Sequence, residues 1–449
     1  MSRLLFLIFF IHFTRLSFGQ DSKEFESLRF NDDYSYLETD TSGSVYKRLK
    51  YTAIGKNTYH SIGGELRGQF FYIQNEDWGE TGEPDDRYIL HRYLLHSDLH
   101  LNRKVRTFIQ LQGSFAYEKS FVSPVDQSSV EFHQAFVEYK NDGVMVRLGR
   151  QEFQYGSQRL VSVRELPNSR QSFDAINVGL KKNQNAVDFI YGHHVTSQPN
   201  SFDEQVGNAI KLWGVYGIKK DLRISNIDLY YLGLYKKTAT FDSLSGREIR
   251  HSVGTRIWKS GERWKTDFEA VYQFGKVATN SINAYTISSN SSYTFTNLRL
   301  KPEIGLKTEL ISGNKSYSDK SIETFNPLFP KGAYFGLAAL IGPANLIDLH
   351  PSVSLTLAEG LIYTFDYDGF WRYSTRDGIY TPSVMLIYSG AESNDRQIGH
   401  QFSTNIDWDP SKYVSLRLEV TWFKSGTFLR ETGAGKDIVF TGVTSQIKF

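Results

Sequence analysis

From about residue 58 to Phe449 the chain keeps returning to one hydrophobic period, two residues. Between Glu65 and Tyr72, Leu66, Phe70 and Tyr72 fall on one side with Gly68, and Glu65, Arg67 and Gln69 on the other. Tyr93, Leu95, Leu99 and Leu101 then alternate with Arg92, His96, Asp98 and His100. After an Asn102-Arg103 turn, Val105, Thr107, Ile109, Leu111, Phe115 and Tyr117 alternate with Arg106, Gln110, Gln112 and Ser114. Leu298, Leu300, Ile304, Leu306 and Leu310 oppose Arg299, Lys301, Glu303, Lys307 and Glu309. Val414, Leu416, Leu418, Val420 and Trp422 oppose Ser415, Arg417, Glu419 and Thr421. Each run has about ten residues or more, the length of a tilted strand crossing a bilayer, whereas strands of soluble sandwiches average about 5–6.

Parity alone does not separate a membrane barrel from a soluble one; the connections do. Short ones, such as Asn141-Asp142-Gly143, Asn183-Gln184-Asn185 and Trp408 to Lys412, alternate with long ones at roughly 74–88, 118–130, 153–172, 195–209 and 425–437. Short periplasmic turns and long extracellular loops are the habit of outer-membrane barrels. The chain therefore reads as all-β: a transmembrane antiparallel up-and-down β-barrel of about 16–18 strands. Between about 312 and 382 the strand parity does not close. The barrel is expected over 58–449, after a polar periplasmic lead-in at 20–57.

Composition agrees. Aromatic residues make up 15% of the chain, with 36 Gly and only 11 Pro, as aromatic girdles and frequent turns require. Mean hydropathy is nevertheless negative, because each lipid-facing residue alternates with a polar residue facing the lumen. The balance of 51 Lys plus Arg against 49 Asp plus Glu argues against a nucleic-acid partner. With no cysteine there is no disulfide scaffold and no thiolate metal site. Residues 1–19 read as a signal peptide: Arg3, an apolar run from Leu4 to Phe13, then Ser17 and Gly19 before Gln20. No later apolar run is long enough to span a membrane as a helix.

Arginine carries the candidate chemistry. Arg67, Arg92, Arg106, Arg147 and Arg417 lie on the polar side of their strands, and Arg159, Arg164 and Arg170 lie in the 153–172 loop. Arg150 is counted with these candidates, although its parity, that of Val146 and Leu148, puts it on the lipid side unless Gly149 marks a bulge. Two readings stay open. Inward arginines form an electropositive constriction for carboxylated solutes, or they are structural partners of Glu65, Asp98, Glu138 and Glu419. His96 and His100, four apart on one strand, lie about 13 Å apart, too far to share an ion. No metal site, cofactor motif or catalytic constellation is expected, so the chain is not read as an enzyme.

From about Arg92 to Ala175 the sequence resembles the alginate-export family of outer-membrane porins. The residues that carry the likeness are Arg92 to His100, His133-Gln134-Ala135-Phe136-Val137 and Leu148-Gly149-Arg150-Gln151-Glu152. They continue in Gly156, Arg159 to Arg164, Pro167-Asn168 and Arg170 to Asp174. Weaker echoes follow in Asn326 to Gly332, Phe370-Trp371-Arg372, Asp377 to Tyr380 and Ile398-Gly399-His400. The resemblance implies a monomeric barrel of about eighteen strands in the Gram-negative outer membrane, with an arginine-lined lumen for an anionic polyuronate. A last strand ending in Phe449 resembles the signal read by the barrel assembly machinery. One departure stands out. The alginate exporter is expected to carry a long periplasmic gating loop where this chain has only Trp408 to Lys412. The expected function is passage of an alginate-like polysaccharide or uronate. The alternatives are uptake of small anions, or a loop-closed structural or binding barrel.

Overall fold

The turn residues set the hairpins. At Asn141-Asp142-Gly143 both central residues have positive φ, 47° at Asp142 and 79° at Gly143. This is the backbone that matches the twist of two flanking strands, and it favours glycine. The computed structural model describes residues 25–80, 85–220 and 225–449; the signal peptide lies outside the described residues.

Eighteen long strands form the wall. They are β1 (Thr58–Gln74), β2 (Asp85–His100), β3 (Val105–Tyr117), β4 (Ser128–Asn141), β5 (Val144–Gln151) and β6 (Phe173–Lys182). Next come β7 (Asn185–Thr196), β8 (Gln205–Lys219), β9 (Asn226–Thr240), β10 (Ser245–Ser260), β11 (Trp264–Val277) and β12 (Asn280–Thr294). The last six are β13 (Glu303–Ile311), β14 (Leu346–Ala358), β15 (Leu361–Arg372), β16 (Gln397–Ser411), β17 (Val414–Ser425) and β18 (Ile438–Lys448). Neighbours are antiparallel, and β1 closes on β18 with Glu65 opposite Lys448 and Gln74 opposite Val439. Closure leaves no sheet edge in the bilayer, where an unpaired backbone group is expensive. The outer face is the apolar side of the alternation: Leu66, Phe70, Tyr93, Leu95, Ile109, Leu148 and Trp422 are all exposed. Among the described residues no helix is long and apolar enough to cross a membrane.

The stretch at 312–382 resolves into an inward loop (312–345), β14, a turn at 359–360, β15 and the start of a second loop. Its parity does not close because much of it is not wall. The run expected from Leu298 begins as a strand only at Glu303. Leu300 and Lys301 have positive φ, and Pro302 has no N–H for the ladder. The long-loop side also has two tight connections, 241–244 and 278–279, so short and long do not alternate everywhere.

The lumen differs more from the sequence pattern. Towards the long-loop end, inward positions are apolar: Phe71, Leu90, Leu212, Leu232 and Phe423 are buried. They form one cluster with Phe153, Leu160, Val161, Phe329, Phe335 and Phe428 from the loops. The loops therefore fold into the barrel and bury a hydrophobic core there.

The lead-in is seated as well. Phe30 packs edge-on against Phe108 and Phe136 on the inner wall. The Arg106 guanidinium donates to the Phe30 carbonyl, and Lys50 Nζ to that of Ile62. A short helix, Val45–Lys50, is capped by the Ser44 hydroxyl. Residues 25–51 thus lie against the lumen wall at the short-turn mouth, anchored by aromatic side chains that the polar character of the segment obscured.

Candidate functional site

The loop at 153–172 spans the lumen. At one end Asn168 Nδ2 donates to the carbonyls of His91, Phe115 and Asp126, at 2.9, 3.0 and 3.0 Å. At the other, Arg159 Nε lies 3.2 Å from Glu269 on β11 and Nη1 lies 2.8 Å from Glu309 on β13. Between them the loop joins the second inward loop backbone to backbone: Ser162 N donates to Phe329 O, and Phe329 N to Leu160 O, both at 2.9 Å. Loop and wall are held from both ends.

The arginines singled out in the sequence divide into groups. Arg67 and Arg92 on the wall, with Arg170 from the loop, converge on the carboxylate of Glu165. Arg67 Nη1 lies 3.6 Å and Arg170 Nε 3.4 Å from it, and Arg92 pairs with it directly. Arg92 also pairs with Glu65 at 2.7 Å and Arg170 with Glu152 at 2.9 Å. Arg67 further donates to the carbonyls of Glu165 and Pro167, so it clasps the loop. Despite these partners, the Glu165 side chain is 49% exposed. Three buried guanidinium groups thus converge on one half-exposed carboxylate, that of the chain's own Glu165.

Arg106 and Arg147 form a second group nearer the short-turn mouth. Both hold Glu138, each through Nε at 2.9 Å, and Arg147 lies over the Phe30 ring at 4.0 Å. Arg159 is occupied as described. Arg417 pairs with Asp407 and Glu419. Arg164, half-buried with positive φ, has no ion pair among the described residues. Burial lowers its guanidinium to about 10, so it stays charged at neutral pH. Arg150 does not face the lumen. It sits on the outer parity and pairs with Asp174 at 2.8 Å and Glu204 at 2.7 Å, near the long-loop rim.

A cavity of about 430 Å³ remains between the two inward loops and the wall of β16, β17, β18 and β1. Arg67, Glu165 and Arg417 line it, together with Lys331 from the second loop. Lys331 was not among the sequence candidates, although it lies in the Asn326–Gly332 block of the resemblance. Among the described residues its ammonium makes no ion pair and rests over the Tyr334 ring at 5.7 Å. Burial and neighbouring Lys307 push it down to about 8. Asp407 and Asp409 also line the cavity, so its charge is mixed.

A family model described as alginate export matches residues 58–437, from the first barrel strand to the last loop. The chain belongs to the alginate-export family. The fold of this family member is that of outer-membrane porins from Pseudomonas aeruginosa. OccK8 (OprE) aligns with a TM-score of 0.57 at 11% identity, over 87% of this chain and 98% of its own. OccK2 (OpdF), solved in complex with glucuronate, aligns at 0.55 and 8% identity, over 86% and 98%. OpdK, solved with vanillate, aligns at 0.55 and 10%, again over 86% and 98%. No curated protein sequence matches. Family and fold are of the channel type, and they point to the outer membrane of a Gram-negative cell.

Proposed function

We propose that this barrel passes carboxylated sugars, a uronate or a short alginate-like oligouronate, along the cavity bounded by Arg67, Lys331 and Arg417. The observation that carries the reading is the convergence of Arg67, Arg92 and Arg170 on the half-exposed Glu165 carboxylate. Guanidinium groups recognise carboxylates through paired, charge-assisted hydrogen bonds. A solute carboxylate displaces Glu165 and takes over its contacts, and the loop residue then serves as the resident competitor. The glucuronate bound by OccK2 is a ligand of this class. On this reading the mature chain starts after Gly19 and works as a monomer. Its last strand, ending at Phe449, is what the assembly machinery reads.

The size of the cavity favours a few sugar units at a time over a free-running polymer. The two-residue turn at 412–413 points the same way, because it leaves no room for a gating loop. Single-channel recording of the refolded barrel tests the proposal. Wild type is expected to be anion-selective and blocked by glucuronate and oligouronates. Glu165→Gln removes the competitor and strengthens the block; Arg170→Gln weakens it. A folded barrel that does not conduct would sink the transport reading in favour of a loop-closed binding barrel. A pore with unchanged block in both variants would reject the site.

A further inference from the structure

Two lumen-facing carboxyl groups on neighbouring strands leave three of their four oxygens without a hydrogen bond. Asp348 on β14 is 2% exposed and Asp368 on β15 is 0% exposed. Neither oxygen of Asp348 accepts a hydrogen bond, and Oδ1 of Asp368 accepts none. Strand register brings them together. Leu349 pairs with Gly369 and Ser352 with Asp366, which sets His350 across from Asp368. Asp348, two residues before His350, shares its face. One ligand atom from each of Asp348, His350 and Asp368 lies within 4.8 Å of the other two. His350 Nδ1 comes to 2.6 Å from Asp368 Oδ1, yet the two are not aligned as a hydrogen bond and neither atom has another partner.

Buried carboxylates short of hydrogen bonds are strongly disfavoured unless a cation or a proton compensates them. Lys307 on β13 is the nearest ammonium, and it is engaged elsewhere. It lies 3.3 Å from Glu309 and over the rings of Tyr334 and Phe335, at 4.7 and 4.3 Å. The other imidazole nitrogen, Nε2, reaches Asp366 Oδ1 at 3.3 Å. A metal ion on Nδ1 takes the place of the proton that otherwise lies between His350 and Asp368, while Nε2 keeps its proton toward Asp366. That is the carboxylate–histidine–metal relay found around protein-bound zinc.

We propose that Asp348, His350 and Asp368 bind one divalent transition-metal ion of the zinc class inside the barrel. One imidazole and two carboxylates suit Zn²⁺, with water completing the shell. The imidazole disfavours Ca²⁺ and Mg²⁺, which prefer all-oxygen shells. The ion joins β14 to β15 directly behind the second inward loop. There Gln401 Nε2 donates to the Phe335 carbonyl at 2.7 Å and approaches Asp368 at 3.5 Å. It therefore steadies the wall against which the Lys331-bearing loop rests.

The test uses the full mature barrel, refolded in detergent, stripped with EDTA and titrated with Zn²⁺ alone. Bound metal is counted after desalting, and the temperature at which the folded form is lost is recorded. Wild type is expected to keep one zinc per barrel and to become more heat-resistant with it. Asp348→Asn and Asp368→Asn should each weaken binding by at least about 100-fold. The outer-face variant His193→Gln should bind as wild type does. Folded wild type that retains no zinc overturns the proposal and leaves two carboxyl groups sharing a proton. Zinc retained equally by the aspartate variants, or lost with His193, overturns it too. The wild-type measurement decides even if a variant misfolds.

Discussion

The guanidinium of Arg29 donates to the carbonyl of Phe449 at 3.1 Å, across 420 positions of sequence. Its other terminal nitrogen donates to the Gly64 carbonyl at 3.0 Å. Gly64 and Phe449 are themselves paired, N to O in both directions. A residue from before the barrel therefore clasps the seam where the first and last strands meet. Glycine is needed at the seam, since a Cβ on Gly64 would come to 2.5 Å from both the Leu94 carbonyl and the Phe449 ring.

Arg29→Ala is expected to destabilise the barrel by about 3 kcal/mol, because it also leaves the buried Asp32 carboxylate without its 2.9 Å partner. The urea midpoint of the refolded protein checks this. An unchanged midpoint would show that the clasp is dispensable.

Residues 25–51 cover part of the short-turn mouth. They reach from Phe108 and Phe136 to the turn after β16, where Lys412 lies over the Tyr46 ring at 5.1 Å. This is the turn where the family resemblance implies a gating loop. Deleting 25–51 from the mature chain should raise single-channel conductance severalfold while the barrel still folds. A deletion that folds and conducts as wild type does would show that the segment is no obstruction.

Glu138 is the common anion of Arg106 and Arg147. Glu138→Gln leaves two buried guanidinium groups short of charge and should cost about 3–5 kcal/mol. Replacing Glu138 and Arg147 together by apolar residues of similar volume should cost less than Glu138→Gln alone. Unfolding curves of the single and double variants decide.

On the proposed function, Lys331 is expected to make uronate block pH-sensitive. Its ammonium is lowered to about 8, so it is mostly charged at pH 7 and mostly neutral at pH 9. Anion preference and uronate block should therefore fall as pH rises across that interval. In Lys331→Arg, which stays charged, both should remain flat. Reversal potentials at several pH values read this directly. Wild type without any change over the same range would exclude Lys331 from the path.

The barrel was legible in the sequence because alternation is a local property of a strand. Glu65 to Tyr72 displays its two faces without reference to any other segment, and Asp142-Gly143 displays its turn. Inward parity of Arg67 or Arg147 follows in the same way, as does the outer parity of Arg150. The inward loops were not legible. Their apolar residues, such as Leu160 and Phe329, have no period, and the apolar seat awaiting them is assembled from many strands.

By itself, then, the sequence determined that strands alternate, where many of them turn, and which side of the clearest runs, such as Glu65 to Tyr72, faces lipid. Tertiary structure alone decided what each inward side chain meets. Arg159 finds Glu269 and Glu309 only because its loop crosses the lumen. His350 finds Asp368 only through the register of β14 on β15, where a slip of one residue would turn the whole set outward. Spacing along one strand argued against shared histidine ligands, and it was silent about donors from the next strand. The physical reason is reach. Strand period is set within a few residues, whereas charge pairing and ligand geometry act over a few ångströms between segments that only closure of the barrel brings together.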